Sequence, residues 1–430
     1  MRYLNTKHKV QKEKGMKRFF LVIYCFLGII SYGKEINLDM LLDEISRTSY
    51  QNKIYEIRKS TNDSKEKYYK LDTFNGVETS VTSEYSNQED SFQTTGKVSY
   101  GPFYVEGTKP YNSDDDYASF GIEKNLKDLI FSKSDSELNK LGISREIDRV
   151  THEKNMETQK IDLINLYRDY KINELELKIK KNGLSTLKKE EETMNKSFNL
   201  GAIAKIELDT LQYSIRNLEI EIKNLEDNLI KLQGRFYYEY KFDIRNSSLA
   251  EIAPMEKNIS ELLRKYGAKD LDKLKYQKDL TNENLKYLKY DDRMPEISLG
   301  VEHSTKFDEN RVVAKFSKKL FDFNLDLEEE KNSLLEQDVT LKQKIDENEA
   351  EKLQAMNNYY NYLKEYEVNK NKAELELSKY NIRKLEYNLG KVNYIDVMES
   401  FDDYLDYEVA KEKAINTLNG YIYEIMVRGE

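Results

Sequence analysis

The chain has 430 residues, 34% of them charged and 11% aromatic, with 33 Tyr, no Trp, 4 Pro and a formal net charge of −9. A negative balance argues against nucleic acid as the partner, and a single cysteine, Cys25, excludes a disulfide framework or a thiolate metal site anywhere after it. So few prolines leave room for long, unbroken helices with wet surfaces.

Residues 1–33 read as a signal peptide. Met16-Lys17-Arg18 opens a basic stretch and offers a second start, Phe19 to Ile30 is an apolar run, and Ser31-Tyr32-Gly33 places small residues where a signal peptidase cuts. A membrane anchor needs about 20 apolar residues, more than this run supplies. A lipoprotein reading at Cys25 is opposed by the bulky Tyr24 before it. Loss of seven Lys/Arg and one Glu with this segment moves the balance from −9 to −15.

A first repeat is expected over 34–233. After an initial helix, residues 76–124 hold the strands. Val77, Thr79, Val81, Ser83 and Tyr85 alternate with Glu78, Ser80, Thr82 and Glu84, and Ala118, Phe120 and Ile122 alternate with Tyr117, Ser119, Gly121 and Glu123. Residues 87–114, with Gly96, Gly101, Pro102, Gly107 and Pro110, read as an enlarged loop, although Val98, Tyr100, Phe103 and Val105 would also suit a hairpin of their own. A helical hairpin is expected over 131–233. Its first arm carries Ile161, Ile164, Tyr167, Ile172, Leu175 and Ile179, and its second has Leu208, Leu211, Ile215, Leu218, Ile222, Leu225, Leu229 and Leu232 in the 3,4 spacing of a coiled-coil seam.

After a connecting region, 234–266, the design returns in a second repeat, 267–430: a helix, strands within 295–318, and a helical hairpin over 325–428. Ile297, Leu299 and Val301, then Val312, Ala314 and Phe316, supply the alternation. Phe198-Asn199-Leu200-Gly201 followed by Ile206-Glu207-Leu208 matches Tyr387-Asn388-Leu389-Gly390 followed by Ile395-Asp396-Val397 at an offset of 189. In both, Gly201 and Gly390 are placed to end a helix with positive φ. Lys124-Asn125-Leu126-Lys127-Asp128 likewise resembles Lys318-Lys319-Leu320-Phe321-Asp322.

Four strands with one apolar face are too few to close on themselves, and transmembrane barrels have at least eight. The missing strands must come from other copies, as must partners for helices of about 100 Å.

The repeated Asn-Leu-Gly turn, the strand pair ending in Leu-Phe-Asp and the duplicated strand-strand-helix-helix order resemble the TolC-like outer-membrane efflux proteins. The resemblance implies a mainly α fold with a small transmembrane β part: a homotrimer whose 12-stranded β-barrel in the outer-membrane lipid continues into a 12-helix α-barrel in the periplasm. It implies a passive duct for small-molecule efflux or type I protein secretion, driven by an inner-membrane pump through a periplasmic adaptor. It further implies that Asp396, Glu399 and, in the first repeat, Glu207 ring a cation-selective aperture. A merely solvated charged face is the competing account in a chain with 78 acidic residues. Leu200, Gly201, Ala202, Leu389, Gly390 and Val392 become the adaptor-docking turns by the same resemblance, with plain turn packing as the alternative.

Tyr85, Tyr100, Phe103, Tyr104 and Tyr117 stand where an interfacial aromatic girdle belongs. No phosphate loop, metal cluster or nucleophile–base set is found, so no enzyme activity and no cofactor are expected. After residue 33 the only histidines are His152 and His303. Two rival readings remain: an exported coiled-coil structural or adhesive protein without a pore, which leaves the repeated strands unexplained, and a soluble adaptor, whose single hairpin does not match the duplication.

Overall fold

The computed structural model describes residues 35–86, 91–111, 116–245, 247–253, 258–319 and 322–429. The expected signal peptide, and positions 87–90 and 112–114 of the expected loop, lie outside them. In chain order the elements are α1 (Leu38–Thr48), α2 (Tyr50–Leu71), β1 (Val77–Ser86), β2 (Ser91–Tyr100), β3 (Phe103–Pro110), β4 (Tyr117–Asn125), α3 (Leu126–Ile130), α4 (Lys133–Asn199), α5 (Lys205–Tyr240), α6 (Ile259–Leu262), α7 (Ala268–Arg293), β5 (Glu296–Ser304), β6 (Glu309–Ser317), α8 (Leu325–Asn388) and α9 (Tyr394–Gly429). The described residues fold as two compact units, each drawing on both sequence repeats: those within 35–47, 160–258 and 357–424, and those within 48–159, 259–356 and 425–429.

The second unit holds the sheet, six antiparallel strands in the order β1-β2-β3-β4-β5-β6. This corrects the expectation of two strands per repeat, on which a twelve-stranded trimer rests. The first repeat contributes four strands, because the stretch read as an enlarged loop forms β2 and β3, the alternative that Val98, Tyr100, Phe103 and Val105 had offered. Its glycines sit inside strands: Gly96 pairs with Gly107 across the β2–β3 ladder, so neither ends the pairing.

Register sorts the side chains into two faces, since opposed residues in an antiparallel ladder point the same way. One face carries Val77, Val81, Val98, Val105, Ile122, Leu299, Val301 and Val312. The opposite face carries Glu78, Glu84, Lys97, Glu106, Glu123, Glu302, Arg311 and Lys315. Of the expected girdle, Tyr85, Tyr100 and Phe103 lie on the apolar face, joined by Phe92, which pairs with Tyr85. Tyr104 and Tyr117 fall on the polar face, a correction that follows from their one-residue phase difference from Phe103 and Ala118.

In the same unit α4 starts in a reciprocal capping box. The Ser132 hydroxyl accepts the Asp135 amide at 3.0 Å, and the Asp135 carboxylate accepts the Ser132 amide at 2.9 Å. Helix α4 then runs 67 residues without interruption.

The first unit is organised around two buried clusters. In one, α1 buries Leu38, Leu41, Leu42 and Ile45, spaced as one helical stripe. Ile36 beside it forms a parallel bridge with Leu249 of the connecting region. Tyr167 of α4, fully buried, joins both segments: its hydroxyl donates to the Ala250 carbonyl at 2.6 Å and lies 3.0 Å from that of Ile36. Burial pushes this phenol well above its ordinary range. Lys171 and Asn419 donate to the carbonyls of Leu249 and Ile252, so a segment with no regular structure still has its buried carbonyls satisfied. The other cluster joins Leu208, Leu211, Ile215, Leu218 and Ile222 of α5 to Leu187 and Met194 of α4, Tyr380 of α8, and Tyr394, Val397, Met398, Phe401 and Leu405 of α9.

Replacing Tyr167 by Phe strands the buried Ala250 carbonyl while preserving shape, since the Ile36 carbonyl still accepts the Ala250 amide at 2.8 Å. Thermal or denaturant unfolding is expected to show a loss of about 1–3 kcal/mol.

Candidate functional site

The two Asn-Leu-Gly turns close the helical hairpins, and both do so with the same hydrogen bonds. At the first, the Gly201 amide donates to Phe198 and the Ala202 amide to Ser197, each at 2.9 Å. At the second, Gly390 donates to Tyr387 and Lys391 to Glu386, each again at 2.9 Å. This is the Schellman arrangement, and it requires the φ of +69° that both glycines adopt. Leu200 and Leu389, one residue earlier, project into solvent at 84% and 70% exposure. Ala202 is exposed too, whereas Val392 is half-buried. Gly201 and Gly390 themselves have open space around the Cα, so backbone conformation alone calls for glycine there.

Four residues after the Asn-Leu-Gly comes the next helix, and the two repeats use its third position differently. Asp396 turns back on its own helix start, its carboxylate accepting the Asn393 amide at 3.1 Å. Glu207, its counterpart, reaches the other hairpin, where it accepts the Tyr387 hydroxyl at 3.1 Å. Burial, then the Glu207 charge, pushes Tyr387 up to about 12. One carboxylate therefore caps, while the other ties α5 to α8. Tyr394, also at the second turn, is fully buried with its ring 5.2 Å from that of Tyr387.

Asp396 is half-buried and Glu399 exposed, so the structure does not bring the two into one buried pocket with Glu207. It aligns them instead with residues that sequence reasoning passed over. Val397, Phe401, Leu405 and Val409 of α9 are buried, and at 100° per residue Asp396, Glu399, Asp403 and Asp406 occupy the opposite side. The 3,4,3 spacing of these acids was the signal available. On the flank of this stripe, partial desolvation followed by the charges of Asp406, Glu221 and Asp403 pushes Asp402 up to about 6, against the pull of Lys180. Lys180 itself pairs with Glu221 at 2.6 Å. Such a stripe attracts cations.

Among the described residues no group of His, Cys, Asp and Glu is arranged to hold a metal ion, and no helix is long and apolar enough to cross a membrane. The second observation leaves a membrane-spanning β-barrel untouched.

No family model and no curated protein matches the sequence. Solved structures do match over most of its length. The outer-membrane protein VceC of Vibrio cholerae aligns with a TM-score of 0.65 at 11% identity, over 90% of this chain and 96% of its own. The outer-membrane channel OprN aligns at 0.65 and 13%, over 91% and 89%. The open-state MtrE channel of Neisseria gonorrhoeae aligns at 0.65 and 11%, over 91% and 88%. The chain has the TolC-like outer-membrane channel fold. Among its neighbours in structure OprN, CusC and MtrE are channels.

A carboxyl held up in the folded state favours folding in its protonated form. Asp402 therefore contributes stability that is complete below about pH 4 and is lost as the pH rises through about 6. Asp402→Asn is expected to raise the melting temperature at pH 8 relative to the parent and to leave it nearly unchanged at pH 4.

Proposed function

We propose that three copies of this chain close into an outer-membrane duct, a ring of strands continuing into a ring of helices across the periplasm. The carrying observation is the sheet: apolar on one face, charged on the other and, among the described residues, open at both edges. Helices α5 and α8 carry matching incomplete surfaces. Ile206, Tyr213 and Ile220 on α5, and Val368, Leu375 and Ile382 on α8, stand exposed at seven-residue intervals, the spacing that pairs helices in a coiled coil. Neighbouring copies supply both missing halves. The channel fold shared with VceC, OprN and MtrE supports the same assembly.

The duct is passive and serves the efflux of small molecules or type I protein secretion, with energy from an inner-membrane pump reached through a periplasmic adaptor. Leu200, Gly201, Ala202, Leu389, Gly390 and Val392 form the docking turns, where two exposed leucines sit on backbone held by Schellman bonds. Asp396, Glu399 and Glu207 line the aperture. Three copies of the α9 acidic stripe around a narrow opening favour cations over anions.

Planar-bilayer recording of protein beginning at Lys34 tests this. Discrete cation-selective steps are expected, and Asp396→Asn is expected to weaken the selectivity. Asparagine keeps an oxygen for the Asn393 amide, so a change reports charge rather than a lost cap. Unaltered selectivity would remove Asp396 from the aperture and leave the channel. A folded oligomer without any conductance, even with Asp396 and Glu399 both neutralised, would favour the coiled-coil scaffold.

A further inference from the structure

The β2–β3 hairpin is built into the sheet along its full height. Its turn, Gly101-Pro102, lies at the end of the sheet where the helices join, because Val77 at the start of β1 pairs with Tyr100, and Phe103 pairs with Ile122 near the end of β4. The turn is held down there. The Pro102 carbonyl accepts the Glu123 amide at 2.8 Å. The Phe74 ring meets Tyr100 edge-on at 5.5 Å and fills the space where a Gly101 side chain would begin.

Farther along, Tyr104 of β3 passes over Gly121 of β4 to donate to Glu302 of β5 at 3.1 Å. A Cβ on Gly121 would lie 2.9 Å from that hydroxyl, so glycine is what lets the link cross. The hairpin is thus locked to strands of the second repeat. Its own residues keep the phase of the wall, with Val98, Tyr100, Phe103 and Val105 exposed on the apolar side.

The outer edges are a matched pair. Among the described residues β1 pairs only with β2, and β6 only with β5. The two edge strands have 10 and 9 residues and run in opposite directions, so they suit an antiparallel ladder. On the charged face β1 presents Glu78 near the helices and Glu84 far from them. In the same order β6 presents Lys315 and Arg311. Acid then meets base at both ends of the seam.

We infer that the outer-membrane ring of this protein is an eighteen-stranded barrel, in which the β1 edge of each of three copies pairs with the β6 edge of the next. This deepens the trimeric channel reading and rests on it. Barrel diameter grows roughly in proportion to strand number, so the ring is about 1.5 times as wide as a twelve-stranded one and reaches porin size. Its outer mouth is a water-filled passage for large hydrophilic solutes, lined by alternating acid and base, and size selection falls to the helical part of the ring.

Protein beginning at Lys34 contains no cysteine, so introduced pairs report alone. In membranes, Glu106→Cys with Ser119→Cys is expected to oxidise within one chain. Thr82→Cys with Val313→Cys is expected to give covalent trimers with a short bis-maleimide. If Thr82→Cys couples instead to Ser119→Cys within one chain, β1 lies directly on β4, the hairpin stands outside a twelve-stranded wall, and the inference fails while the channel survives. Trimers by light scattering without the Thr82–Val313 link overturn it equally. Monomers throughout would overturn the trimeric channel reading as well.

Discussion

A sheet with one apolar face and two open edges has no stable resting place as a single copy. Water opposes its Val, Phe and Tyr face, and hydrocarbon opposes the unpaired amides and carbonyls of its edges. Closure with other copies satisfies both demands together. The long helices obey the same logic, since their exposed seven-residue stripes run alongside stripes that are already buried. These surfaces are what the proposed closure with other copies would cover.

Within one chain, stability comes from a few buried junctions. Tyr167 shows the pattern: one phenol holds the segment before α1 and the segment after α5, neither of which has a ladder of its own. Lys171 and Asn419 add donors to the same connecting region. At the turns the arrangement is backbone-led. Two glycines take an identical φ, and their exposed neighbours are free for contact because they are not needed for packing.

Much of this was legible in the sequence, and the failures have physical causes. The 3,4 seam of α5 and the 189-residue repeat of the turn translated directly into the buried residues Leu208 to Leu225 and the twin Schellman bonds. The β2–β3 hairpin was obscured by Gly96 and Gly107, which look like loop residues until they are seen facing each other across a ladder. Tyr104 was misplaced for a simpler reason: aromatic character marks a membrane interface, but only strand phase decides which side of the wall a ring faces. The roles of Asp396 and Glu207 were the least visible. Both occupy the third position of a helix, and what distinguishes them is a contact to Tyr387, 180 residues from Glu207 in sequence and in the other repeat. The α9 acidic stripe was present in the spacing, but it acquires meaning only once the buried side of the helix is known.

The Tyr104–Glu302 link has a consequence for how such a ring comes into being. It fastens the inserted hairpin to the second repeat before any neighbour is present, so each chain arrives with five ladders already in register. In the proposed ring only one strand seam per copy is left to form between molecules, and that seam, like the contacts between helices of neighbouring copies, depends on protein concentration. Assembly of the proposed trimer then resembles the joining of three prefabricated panels more than the threading of separate staves, with errors of strand register confined to three places around the circumference.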